Sequence, residues 1–203
     1  MDHLDELENK TIYIIREAYA RFRNTALLWS MGKDSTSLLW MTRKAFFGKI
    51  PFPIIHIDTS FKFKEMYEFR DKYTKKWNLD LIISKNIKAL DAGLCSENKK
   101  FECCNALKTE ALKQTLVKYN LTALLLAIRR DEHGIRAKER YFSPRDGDFK
   151  WNYKDQPIEL WDLYKSKFET GQHLRIHPML HWTELDRLTE NRIILPQKDK
   201  KLV

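Results

Sequence analysis

Thr25-Ala26-Leu27-Leu28-Trp29 runs directly into Ser30-Met31-Gly32-Lys33-Asp34-Ser35-Thr36, and the reading of that junction decides the fold. The first five residues form a short apolar run, the pattern of a strand buried on both faces. From Ser35 to Phe47, residues Leu38, Leu39, Met41, Thr42 and Ala45 recur at helical spacing, so a helix follows. The seven-residue segment therefore sits where a strand ends and a helix begins, which is where ligands bind in a parallel sheet. Unpaired backbone N–H groups and the positive end of the helix dipole attract phosphate at such a place. Gly32 lets the backbone approach a ligand without a Cβ clash. Ser30, Ser35 and Thr36 offer hydroxyls, and Lys33 offers a mobile positive charge. Asp34 repels phosphate unless a magnesium ion lies between them or the carboxylate caps the helix. Taken singly, these residue types also suit an ordinary strand-to-helix turn. In this order after a buried strand they point to a phosphate cradle. The segment is neither the dinucleotide-binding fingerprint nor the Walker pattern, since no second Gly lies five residues upstream of Gly32.

Working outward, residues 4 to 22 place Leu4, Leu7, Thr11, Ile15, Ala18, Tyr19 and Phe22 on one helical face. Pro51-Phe52-Pro53 marks a loop before a second apolar strand, Ile54-Ile55-His56-Ile57, that ends at Asp58. Phe61 to Trp77 reads as helix, Leu79 to Ser84 as strand, Cys103 to Tyr119 as helix and Leu121 to Ile128 as strand. This alternation predicts an α/β fold: a Rossmann-like parallel sheet with helices on both faces, plus an irregular C-terminal segment. Residues 129 to 173 are charged and aromatic with little periodicity, His173 to His177 suits a last strand, and Thr183 with Asp186 suits a helix N-cap. The expected organisation is an N-terminal helix over 1–24, a nucleotide-binding α/β unit over 25–128, and a basic active-site loop with a C-terminal appendage over 129–203.

The chain has 203 residues and a formal charge of +9, from 37 Lys and Arg against 28 Asp and Glu. Such a charge serves solubility or draws the protein to polyanions: ATP, sulfate, an acidic partner or DNA. No stretch approaches the length of a membrane span, and the acidic N-terminus lacks an apolar export region. With Cys95, Cys103 and Cys104 as its only cysteines, the chain suits a reducing cytoplasm.

The loop Ser30 to Thr36 resembles the S-G-G-x-D-S/T loop of the N-type ATP pyrophosphatases, also called the adenine nucleotide α-hydrolase group, with Met31 where many members have the first Gly. Within that group the chain is similar to the small-subunit family of the bacterial sulfate adenylyltransferases. Ile14-Ile15-Arg16-Glu17, Arg43 to Phe47, Pro51 to Thr59 and Lys64 to Asp71 carry the likeness. Arg129-Arg130-Asp131-Glu132, Arg136 to Arg140 and Trp182-Thr183-Glu184 continue it. Tyr141 to Asp146, Gln156 to Trp161 and the Cys103-Cys104 pair also resemble the ATP-pyrophosphatase components of DNA phosphorothioation systems.

The resemblance implies transfer of AMP from ATP to an oxyanion with release of pyrophosphate, and sulfate as that oxyanion. It implies that Ser30, Gly32, Lys33, Asp34, Ser35 and Thr36 hold the departing pyrophosphate and that Ile57, Asp58 and Thr59 lie beside the adenosine, with helix capping as the alternative for Asp58. Lys33, Asp34, Arg129 and Arg130 are the expected catalytic residues, the arginines as planar forks for phosphate or sulfate. Arg136, Lys138 and Arg140 form a second basic group, of which Arg136 and Lys138 are expected to serve the nucleotide. Surface pairing with Asp131, Glu132 and Glu139 is the competing reading. Magnesium is the expected metal. Cys103 and Cys104 are candidate iron–sulfur ligands, but this sequence has no Cys-x-x-Cys to complete the usual four. The implied partner is a GTPase large subunit or, on the other branch, DNA and DNA-modification components. A non-catalytic nucleotide-binding module is the third reading.

Overall fold

The computed structural model describes residues 2–92, 100–164 and 172–186. Its first half runs α1 (His3–Arg21), β1 (Thr25–Leu28), α2 (Lys33–Ala45), β2 (Ile54–Ile57), α3 (Lys64–Trp77), β3 (Leu81–Ser84) and α4 (Ile87–Asp91). Then follow α5 (Lys100–Cys104), α6 (Ala111–Lys118), β4 (Ala123–Leu125), β5 (Phe142–Arg145) and β6 (His173–Ile176). The strands form one sheet in the order β3-β2-β1-β4-β6-β5. All neighbours are parallel except β5, which runs antiparallel to β6 with Phe142 opposite Ile176 and Arg145 opposite His173. From β1 the chain builds toward β2 and β3 on one side and resumes at β4 on the other. The strand order therefore reverses between β1 and β4, and a crevice opens beyond their C-terminal ends.

Strand alternation supplies both faces. Leu27 and Trp29 pack with Ile14 and Ile15 of α1, Leu38 and Met41 of α2, and Phe69 of α3. Ala26, Ile55 and Leu124 face Leu116 of α6 on the other side. Helices thus cover both faces of a mostly parallel sheet, as the apolar runs of the sequence required. Among the described residues, no helix is long and apolar enough to cross a membrane.

Several elements differ from the sequence reading. The third helix begins at Lys64 rather than Phe61, because the Asp58 carboxylate accepts the Ser60 N–H (2.8 Å) and Ser60 turns the chain at φ 63°. A π-helical stretch, Asn105–Glu110, interrupts the helix read over 103–119. Residues 142–145, read as loop, form the edge strand β5, where Pro144 costs no ladder hydrogen bond that the sheet needs. The last strand lies where the sequence placed it, and Thr183 with Asp186 forms the expected reciprocal cap. Cys95 and the tail from Arg187 to Val203 lie outside the described residues.

Two backbone details hold the crevice edge. Met31 takes φ 64°, the left-handed region that favours glycine, yet its side chain is 1% exposed within the main core. Asp58, just past β2, accepts from Ser60 N–H, Tyr67 Oη (2.9 Å) and Lys85 Nζ (2.9 Å). Burial works against its charge, but these partners hold the carboxyl down at about 2.

Met31→Gly relieves the left-handed strain, worth ~1–2 kcal/mol, and removes a buried side chain worth ~2–5 kcal/mol. The variant should therefore be less stable by ~1–3 kcal/mol in a urea titration, and an unchanged midpoint would reverse that balance. Because the folded-state value of Asp58 lies below its ordinary 3.8, its stabilisation is present above about pH 4 and is lost as pH falls toward 2. Asp58→Asn should flatten the loss of urea midpoint over that interval, and equal slopes would refute the assignment.

Candidate functional site

The loop after β1 is built from its own backbone. Ser30 Oγ lies 2.9 Å from Ser35 Oγ, the Ser35 hydroxyl donates to Gly32 O, and Thr36 N–H donates to Gly32 O, which starts α2. Gly32 caps α2 without a side chain, so the first N–H groups of a 13-residue helix face the crevice. Thr36 is not among the exposed hydroxyls: it is buried and accepts the Trp29 indole N–H at 3.1 Å. Ser30, Gly32, Lys33, Asp34 and Ser35 line a pocket of about 420 Å³ with Ala127, Ile128, Glu132 and Arg136.

Beside it lies an ion network centred on Arg129. This residue is 4% exposed, and its guanidinium donates to Asp34 Oδ1 (2.5 Å), Asp131 Oδ1 (2.9 Å) and Glu184 Oε2 (2.6 Å). Burial opposes the charge, but the three carboxylates outweigh it and raise the arginine above its ordinary value. Lys33 Nζ pairs with the other oxygen of Glu184 at 2.5 Å. The conflict between Asp34 and phosphate therefore has a resolution that the sequence did not suggest: Arg129 neutralises Asp34. Arg136 reaches the same pocket, paired with Glu132. Arg130 turns away, its guanidinium over the Tyr141 ring at 5.2 Å, and Lys138 lies over Tyr153 at the same distance. Of the four basic residues expected here, Arg129 and Arg136 converge on the loop and Arg130 and Lys138 do not.

A second cleft, of about 480 Å³, continues from the pocket, sharing Leu28, Ser30 and Leu126 with it. Leu28, Ile57, Leu112 and Leu126 give it apolar walls, and Thr59, Lys62, Lys108 and Arg175 give it polar ones. Ile57 and Thr59 thus face this cleft, whereas Asp58 is occupied in holding the turn. Lys62 is held by the buried His56. The His56 Nδ1–H donates to the carbonyl of Trp29 (2.9 Å), leaving Nε2 to accept from Lys62 Nζ (3.3 Å). Burial keeps His56 neutral, with its value pushed down to about 4, and lowers Lys62 to about 8.

Sequence reasoning missed Lys62, Lys108, Arg175 and Glu184 as site residues. Lys62 falls in a stretch read as helix and Lys108 lies within one. The only signal for Glu184 was its place in a motif resembling the family.

For a metal, Asp34 and Glu132 present carboxylate oxygens at the loop pocket. No group of three or more His, Cys, Asp or Glu side chains among the described residues is arranged to hold an ion unaided. That donor set suits magnesium, which binds one or two carboxylates together with substrate phosphates. Cys103 is buried against Ala89 and Leu107, while Cys104, the next residue on the helix, is exposed. Among the described residues no third ligand joins this pair, so nothing there completes the four thiolates of a four-iron cluster.

The geometry has counterparts in known proteins. Sulfate adenylyltransferase subunit 2 of Psychromonas ingrahamii is 46% identical over 188 residues, covering 92% of this chain and 62% of that protein. The chain thus spans less than two thirds of the length of such relatives. Phosphoadenylyl-sulfate reductase from Candida auris superposes with a TM-score of 0.66 at 17% identity, over 99% of this chain and 90% of the other. Candida glabrata FMN adenylyltransferase in complex with ATP does so with a TM-score of 0.64 at 17% identity, over 93% and 54%. At such identities the two structures show a shared fold. Residues 24–189 match the family described as the phosphoadenosine phosphosulfate reductase domain. The chain belongs to that family, within the N-type ATP pyrophosphatase superfamily.

Proposed function

We propose that this chain binds ATP across the crevice, cleaves it between the α and β phosphates, and transfers the AMP part to sulfate. The continuity of the two cavities carries the reading. They meet at Leu28, Ser30 and Leu126, so a nucleotide laid across the switch point sets its base on apolar walls and its phosphates on the N-terminus of α2. The 46% identity to sulfate adenylyltransferase subunit 2 supports sulfate as acceptor, and that name supports a further subunit as partner, a GTPase on the resemblance.

In this reading a sulfate oxygen attacks the α-phosphorus while the bond to the bridging α–β oxygen breaks in line and pyrophosphate departs. The products are adenylylsulfate and pyrophosphate, and no covalent enzyme intermediate is needed. The backbone N–H groups of the loop hold the leaving group, and Lys33 exchanges Glu184 for phosphate oxygens. Arg136 adds charge from the opposite wall. Arg129 acts as a positioning residue, fixing Asp34 and Glu184. Around the pocket Lys33, Arg129 and Arg136 face Asp34, Asp131, Glu132 and Glu184, an acid excess of one. Magnesium held by Asp34 and Glu132 would supply the charge neutralisation a polyphosphate requires there.

The test is pyrophosphate release by the full chain with its partner subunit, with and without sulfate. Release should depend on sulfate, whereas sulfate-independent release, or DNA binding that survives physiological salt, would favour a nucleic-acid acceptor. Lys33→Ala or Ser35→Ala should slow release by ~100-fold or more. For Lys33→Ala the urea midpoint should hardly move, because the ion pair lost is solvent-exposed. Wild-type turnover in either variant would mean that the loop does not hold the phosphates.

A further inference from the structure

The cleft beside the loop carries more positive charge than an adenosine can use. Lys62, Lys108 and Arg175 line it, and among the described residues none of them has a carboxylate within ion-pair distance. Lys62 hydrogen-bonds neutral His56, and Asp58 acts on it from beyond ion-pair distance. Arg175 Nε is buried with no hydrogen-bond acceptor. The acid that acts on Arg175, Glu139, is already bound to Arg145 at 2.6 Å. Lys108 sits in the π-helical stretch, whose wider turn presents Lys108 and Thr109 to the cleft instead of continuing the regular face of α6. The contrast with the loop pocket is direct. There each of Lys33, Arg129 and Arg136 already has a carboxylate, and in the cleft the cations have none among the described residues. A base and ribose carry no charge, and the triphosphate is accounted for by the loop and α2. The three cations therefore call for a second anion.

We infer that Lys62, Lys108 and Arg175 form the subsite for the acceptor oxyanion, a small tetrahedral dianion of the sulfate class, seated against the nucleotide at the Ser30 end of the cleft. This rests on the proposed adenylyl transfer for its catalytic meaning, but the binding claim stands by itself. Arg175 presents a planar fork from the middle of β6, and Lys62, preset by His56, presents a point charge from beyond β2. Burial, with the like charges of Lys108 and Arg70, lowers Lys62 to about 8 against the pull of Asp58, and a bound dianion offsets that penalty.

The test titrates sulfate calorimetrically, at ionic strength balanced with chloride, into the full chain saturated with α,β-methylene-ATP, whose scissile bond does not hydrolyse. Lys62→Gln, Lys108→Gln and Arg175→Gln should each weaken sulfate ~10-fold or more, while the affinity for the ATP analogue without sulfate stays within ~3-fold. Lys108 is exposed, so its variant keeps the test decisive should Arg175→Gln fail to fold. Sulfate affinity unchanged in Lys62→Gln and Lys108→Gln would overturn the subsite, even with sulfate-dependent pyrophosphate release intact in the wild type. A 10-fold loss of ATP-analogue affinity in those variants would also overturn it, by assigning the cations to the triphosphate. Sulfate binding that needs the three cations in a protein that releases no pyrophosphate would uphold the subsite and sink the catalytic reading instead.

Discussion

The burial of the Arg129 guanidinium is the constraint on which the crevice depends. An arginine removed from water is tolerated only if its donors are satisfied and its charge is matched. Here Nη1, Nε and Nη2 each meet a different carboxylate, and the three carboxylates come from the start of α2, the turn after β4 and the segment beyond residue 182. One side chain thus ties together stretches more than 50 residues apart in sequence. The backbone follows: Arg130 N–H donates to Leu180 O, Glu184 N–H donates to Asp131 Oδ2, and the Trp182 indole donates to Thr11 on α1. The C-terminal described segment is therefore a wall of the crevice, held by buried charge as much as by apolar packing.

The same network explains how an acidic residue can open a phosphate-binding helix. Asp34 in the first turn of α2 is favourable for the helix dipole and unfavourable for a polyanion beyond it. Arg129 removes the second cost without removing the first. Lys33, next to it, is parked on Glu184, so in the proposed function the loop's one mobile cation would exchange one anion for another when phosphate arrives. Such an exchange asks less of the protein than desolvating a free ammonium would.

Local pattern was enough for much of this. The apolar run from Thr25 to Trp29, the helical spacing after Ser35 and the alternation downstream dictated a parallel sheet with helices on both faces, and the loop followed at its edge. Where the sequence fell short, the determinants were non-local. β5 hides because Pro144 and Arg145 spoil its strand pattern, and only pairing with β6 makes it one. Arg129 and Arg130 are indistinguishable as neighbours in a chain, yet one is buried among carboxylates and the other lies on Tyr141. Asp58 reads from the sequence as lying beside the adenosine or as a helix cap; its carboxylate instead holds the turn through three donors, and Phe63 stands at the N-cap of α3. Met31 stands at a position where the backbone favours glycine, and no propensity argument shows that the core below has room for its side chain.

Charge separates the two halves of the crevice in a way composition alone could not. The chain carries +9 overall, but the phosphate loop does not share that excess, since its cations are matched by carboxylates. Among the described residues, three cations of the adjoining cleft, Lys62, Lys108 and Arg175, have no carboxylate at ion-pair distance. Backbone N–H groups bind phosphate by direction and add no net charge of their own. Unpaired side-chain cations bind by charge and accept any small dianion of the right size. Under the proposed adenylyl transfer, which must release pyrophosphate from the loop while holding an acceptor beside it, opposite electrostatics in the two halves are an advantage, and the crevice between β1 and β4 is divided in that manner.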